Sequence, residues 1–244
     1  MPDTTGSIEL ARGFAETSSV LLGRSSLERT LEAVAACAPS SVRAAESACV
    51  SIITRDGDVR TRACSDRSGA ESPGLHTALE AGEGLVQAAS VEGTLVRIED
   101  TAVEERWPEF ARRAEELGVR SLIACGLRVG SGLRGALVLQ SATPGAFDDP
   151  ALEAADVYVT HASAAVSKSQ TTDSLRQAVR TRQVIGEATG ILMERHRIDS
   201  ATAFGLLVRA SQNLNVKLRA VAEHVVRTGQ DPQALRRSDF PPGS

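Results

Sequence analysis

The chemistry open to this chain is concentrated in its basic residues. Between Leu175 and Arg219 stand Arg176, Arg180, Arg182, Arg195, Arg197, Arg209, Lys217 and Arg219. Guanidinium and ammonium groups at that density neutralise phosphates, and arginine planes also stack on bases. The distribution of charge agrees. Residues 1–167 hold 15 Lys and Arg against 24 Asp and Glu, a balance of −9; residues 168–244 hold 12 against 7, a balance of +5. A basic end attached to an acidic body is one signature of a segment that faces nucleic acid.

Other chemistries find no support in residue spacing. Cys37, Cys49, Cys64 and Cys125 are scattered with no CxxC pair, and His76, His161, His196 and His224 lack metal-ligand spacing. Neither a zinc site nor a disulfide framework is expected, and the cysteines read as buried thiols. No phosphate-cradling glycine loop, nucleophile elbow, HExxH or paired catalytic carboxylate stands out, so no catalytic residue and no enzyme is expected. No apolar run approaches the roughly 18 residues that span a bilayer. The N-terminus carries acids where a secretory signal carries basic residues, so the expectation is a cytoplasmic protein without a membrane partner.

The elements that must position the basic residues follow from periodicity. The chain has 244 residues, 42% apolar and 24% charged, which is one large globular domain or two small ones. Ile8, Leu10, Phe14, Val20 and Leu21 predict a first helix. Leu27, Leu31 and Val34 predict a second, opened by a Ser25/Glu28 capping box and closed near Pro39. Strands are expected at 48–54 and 59–65 about an Asp56-Gly57 turn, and then at 95–99, 120–129 and 133–141. Short helices are expected within 75–91, broken at Gly82 and Gly84, and one from Pro108 to about Leu117. The fold class is α+β: a mostly antiparallel sheet flanked by helices, a connecting helix, and a C-terminal three-helix domain.

The connecting helix starts at Asp148-Asp149-Pro150. Its Leu152, Ala155, Val159, Ala162 and Val166 form a heptad seam, which either packs on the sheet or pairs with a second chain. Residues 167–174 have no apolar side chain, and Leu175 falls on the opposite helix face from Val166. The helix is expected to break or change partner there. Beyond it, Leu175, Val179, Ile185, Ala188 and Leu192 should face inward on a helix ending near Arg195. A second helix, capped by Asp199 and Ser200, carries Ala203, Phe204, Leu207 and Val208, with Phe204 in the core. A turn at 213–215 leads to a third, with Leu218, Val221, Ala222 and Val225 inward and Gly229 as its stop. Asn215 reads as the cap of this helix, whose first amides would meet a phosphate beside Lys217 and Arg219. The expected domains are 1–166, with the connecting helix; a polar joint at 167–174; 175–229; and a tail at 230–244. The tail is expected to hold a short helix and then a disordered Pro/Gly/Ser end.

Over about residues 7–166 the element order resembles a GAF domain, a small-molecule-sensing module. The resemblance implies a pocket between the sheet and the 65–117 segment and names no ligand or cofactor for it. The Asn-Lys signature of cyclic-nucleotide-binding members is absent. Trp107 reads as a packing residue at a helix start. The C-terminal segment resembles the ANTAR domain of antitermination regulators. The residues that carry this are Arg182, Ile185, Ala188, Gly190-Ile191-Leu192-Met193 and Arg195, then Ala203, Phe204, Leu207, Ser211, Asn215, Lys217-Leu218-Arg219 and Val221-Ala222. Thr189 departs from the pattern, standing where many members carry a basic residue that would contact phosphate. The resemblance implies a signal-responsive antitermination regulator that binds tandem RNA stem-loops in an mRNA leader. It also implies a homodimer to present two domains, and RNA contacts from Arg182, Arg195, Ser211, Asn215, Lys217 and Arg219. The competing expectation is a DNA-binding helix-turn-helix regulator whose last helix exposes Lys217, Arg219, Ala220, Glu223, His224 and Arg227. That face mixes an acid with the bases and has no Asn or Gln beyond the cap to read adenine.

Overall fold

The computed structural model describes residues 26–54, 56–66, 75–80, 84–91, 94–129 and 133–241. The expected helix over 8–21 and the break at Gly82 lie outside the described residues. The chain divides into two compact units, residues 1–173 and 174–244, taken here in turn.

In the first unit, helix α1 (Leu27–Ser41) is capped by Ser26, one residue beyond the expected Ser25, whose hydroxyl accepts the Arg29 N–H. Strands β1 (Ser47–Ile53), β2 (Val59–Asp66), β3 (Leu95–Ile98), β4 (Ser121–Val129) and β5 (Leu133–Ser141) make one antiparallel sheet, in the order β2-β1-β5-β4-β3. Helices α2 (Leu75–Glu80), α3 (Leu85–Ala89) and α4 (Pro108–Glu116) lie between β2 and β4 in sequence, with Pro108 in the first turn of α4. Helix α5 (Asp149–His196) follows β5.

The sheet is covered on both faces, so its strands read as near-continuous apolar runs. Side chains alternate between two cores. Val50, Ile52, Ile123, Leu127, Leu137 and Leu139 pack with α1 and the first part of α5. Cys49, Leu122, Ala124, Ala136 and Val138 pack with Leu79, Leu85, Val86 and Phe110 of the other helices. Tyr158 ties α5 to α1 by donating to the Val34 carbonyl at 2.7 Å, and burial pushes its phenol pKa up. Gly135 is required where β5 crosses β1, because a Cβ there would stand 2.4 Å from the Ser51 carbonyl oxygen.

Two open alternatives are resolved and one expectation is corrected. Ala155, Val159, Ala162 and Val166 are buried and Leu152 is packed beside them, all against this unit's own sheet. The heptad seam is therefore used within the chain and does not serve as a dimer interface. The polar joint does not break the helix. Residues 167–174 hold neither Pro nor Gly, and Thr171 and Thr172 donate to the Ser167 and Lys168 carbonyls one turn back, so α5 continues for 48 residues. Finally, Cys49 and Cys64 are joined in a disulfide across β1 and β2, while Cys37 and Cys125 are free. A register shift between Val50 and Ser51 brings the two directly opposite.

The second unit packs the end of α5 against α6 (Ser200–Leu214) and α7 (Leu218–Thr228). Asp199 caps α6 by accepting the Thr202 N–H at 2.7 Å, and those Thr202 hydrogen bonds hold its carboxyl below the usual range. Ala188, Leu192, Ala203, Leu206, Leu207, Ala210, Val221, Ala222 and Val225 form the core. Gly229 ends α7 in the left-handed conformation, as expected. Leu175 and Val179 do not face inward; they are 67% and 61% exposed, on a stretch of helix exposed all round from Ser174 to Arg180. Of the tail, residues 242–244 lie outside the described residues. Short 3-10 turns at Pro232–Ala234 and Arg237–Asp239 bring Leu235 and Phe240 into the core.

Candidate functional site

The RNA-contact residues expected from the sequence all lie in the second unit, and the structure divides them. Four gather at the turn between α6 and α7. Asn215 adopts the left-handed conformation there (φ 50°, ψ 49°), with its N–H returned to the Gln212 and Ser211 carbonyls. It is thus the C-cap of α6 and not the N-cap of α7; an Asn tolerates this backbone better than most side chains. The Ser211 hydroxyl, half-buried, donates to the Val216 carbonyl at 2.6 Å and fixes the turn. Lys217 then occupies the N-cap of α7, exposed, with no side chain capping the helix. The Leu218 and Arg219 amides are therefore open donors at the positive end of this 11-residue helix, while the Ala220 and Val221 amides bond the Lys217 carbonyl. Arg219 is on that first turn and pairs with Glu223 at 2.7 Å, an exposed i,i+4 pair.

Arg195 and Arg182 stand apart. The Arg195 guanidinium donates to the Gly229 carbonyl at the far end of α7. That end lies about 16 Å from Lys217 at 1.5 Å per residue. Arg182 is exposed on α5, some 20 Å of helix before Arg195. Neither Arg182 nor Lys217 has an ion-pair partner among the described residues.

Side chains at other positions also differ from the sequence reading. Phe204 is 42% exposed and is not a core residue. Thr189 is buried and bonds back to the Ile185 carbonyl, so that position faces the core and offers no phosphate contact to lose. His224 is buried too, bonded to Gln230 and beside the Phe240 ring at 5.3 Å. A DNA-reading face on α7 therefore loses His224, and Glu223 already engages Arg219. No observation favours that alternative.

In the first unit, a cavity of about 470 Å³ is lined by Leu95, Cys125 and Val159 together with Arg128, Asp156 and Ser163. It opens between the β3–β4 edge and α5, and so lies on the opposite side of the sheet from α2, α3 and α4. The Cys125 thiol is pushed up to about 12 by burial, with Asp156 adding to the effect, so it is a packing group there and not a nucleophile. Trp107 caps α4 from a half-buried position beneath the Arg106 guanidinium, in keeping with a packing role. Among the described residues no cluster of His, Cys, Asp and Glu fits a metal, and no helix is long and apolar enough to cross a membrane.

Comparison with known proteins accounts for both units. A family model described as GAF domain matches residues 24–167, and one described as ANTAR domain matches residues 173–226. Two solved structures share the fold at low identity. The phytochrome photosensory core module of Stigmatella aurantiaca has a TM-score of 0.61 at 12% identity, over 88% of this chain and 46% of that one. Bacteriophytochrome RpBphP3 from R. palustris has a TM-score of 0.55 at 13% identity, over 75% and 43%. This chain spans less than half the length of either. No curated protein matches it.

Proposed function

The chain belongs to the GAF domain family and carries an ANTAR domain after it, and from that premise we propose that this signal-regulated protein binds stem-loop RNA in nascent mRNA leaders and prevents termination. The observation that carries the reading is the gathering of Ser211, Asn215, Lys217 and Arg219 at one turn of a basic unit. Lys217 and the open Leu218 and Arg219 amides of α7 meet a backbone phosphate. Arg219 exchanges Glu223 for a second phosphate. Ser211 holds the turn, and Arg182 and Arg195 add charge along α5. A protein held on an RNA hairpin keeps a competing terminator hairpin from forming.

The GAF domain is the sensor in this scheme, with a small molecule as its effector. The partner is RNA, in two tandem hairpins, and two copies of the chain present one basic unit to each. With the heptad seam buried, the face left for pairing is Leu175 and Val179, four residues apart and both exposed. The test is a readthrough assay: in vitro transcription of a leader carrying two hairpins before a terminator. Wild type raises readthrough, and Lys217→Glu with Arg182→Glu abolishes the gain. Readthrough that is equal with and without protein, at concentrations that saturate RNA binding, would overturn the antitermination reading.

A further inference from the structure

The chain is poor in aromatics, at 3%. Phe110, Phe147, Tyr158 and Phe240 are buried, Trp107 is half-buried, and Phe204 is the exposed aromatic ring among the described residues. Its exposure has a geometric cause. The buried stripe of α6 is Ala203, Leu206, Leu207 and Ala210, and Phe204 sits roughly 110° round the helix from its centre. Val208, Ser211 and Asn215 follow at steps of four, three and four on the same flank. The ring therefore lies on the face that runs down to the Lys217 turn.

We propose that Phe204 is a base-stacking residue, receiving an unpaired loop base of the RNA while the Lys217 turn, about 16 Å further along α6, holds backbone farther along the same hairpin. This rests on the RNA-binding reading and deepens it, assigning the loop to α6 and the phosphates to the start of α7. The chemistry fits a single-stranded nucleotide. A π-face in a positively charged unit attracts a planar base next to a phosphate, and every base offers such a face. A protein partner would more naturally be met by a wider apolar patch, whereas Val208 is half-buried and Ser211 is engaged in the turn.

The experiment titrates full-length protein into a two-hairpin RNA carrying 2-aminopurine at successive loop positions, with Phe204→Ala, Phe204→Leu and Phe204→Tyr beside wild type. Stacking predicts quenching at one loop position, about tenfold weaker binding by Phe204→Ala, similar weakening by Phe204→Leu, and near wild-type binding by Phe204→Tyr. Melting temperatures should change little, since the ring is largely outside the core. Wild-type binding that all three variants match would overturn the stacking role and leave the RNA reading standing. If Phe204→Ala instead disrupts self-association while RNA affinity is unchanged, the ring is a protein contact and the proposal falls. No loop-dependent binding by wild type would overturn the RNA reading, and this assignment with it.

Discussion

Phe240→Ala should unfold the C-terminal unit at a much lower temperature. Phe240 is 8% exposed, 12 residues beyond the end of the last long helix, with its ring against His224 at 5.3 Å. Truncating a buried Phe costs about 3–5 kcal/mol in a closed core. The tail covers this core from one side, so the lower figure, about 3 kcal/mol, applies. A unit of about 70 residues has about 4–10 kcal/mol to lose, at roughly 0.05–0.15 kcal/mol per residue. The variant should thus lose roughly a third or more of the unit's stability, a drop of about 12–24 °C at about 4–8 °C per kcal/mol. Calorimetry of the full chain, with Leu235→Ala as a parallel variant, reads this directly. The α6–α7 turn is untouched, so RNA affinity below the melting range should persist. A shift under about 2 °C would show that the tail is not part of the core and refute the packing argument.

Cys64→Ser should destabilise the sheet unit by about 3 kcal/mol, the loop-closure figure for a 15-residue separation, measured by urea unfolding; equal midpoints for oxidised wild type and variant would contradict it. Gly135→Ala should cost about 1–3 kcal/mol or more, since the new methyl meets the Ser51 carbonyl; an unchanged melting temperature would show that β5 and β1 are not this close. Asp199→Ala should destabilise the C-terminal unit at neutral pH. Because the folded carboxyl is held below its ordinary value of about 3.9, its contribution is present above that pH and lost as pH falls through the folded value, so variant and wild type should converge in acid. A gap that persists at the lowest pH where both fold would count against the cap. Glu223→Gln should tighten RNA binding by freeing Arg219, and Lys217→Ala should weaken it and lower the salt slope by about one; unchanged slopes for both would remove the turn from the interface.

Period and turn chemistry made most elements legible. The Asp56-Gly57 turn, Pro108, Asp199 and Gly229 all mark boundaries where the structure has them. What was missed depended on tertiary detail. From the hairpin turn alone, Ile53 opposite Val59 carries forward to Cys49 opposite Ala63; the bulge at Val50/Ser51 moves the partner to Cys64. Heptad spacing cannot distinguish a helix on its own sheet from one on a second chain, and Ala155 and Val159 chose the sheet. The Leu175–Val179 pair has helical spacing, yet no neighbour stands beside it within the unit. Phe204 next to Ala203 fits an apolar stripe until Leu206 and Ala210 fix the stripe's centre elsewhere. At the candidate site the residue types were legible. Asn215's role was not, because capping the end of one helix and the start of the next look alike when only three residues separate the helices.

The central claim is most directly tested by titrating the full chain with an RNA of two tandem hairpins, against the same RNA with scrambled loops and against duplex DNA. Binding that needs the loops and resists DNA competition is the predicted result. A preference for palindromic duplex DNA over the hairpins would contradict it.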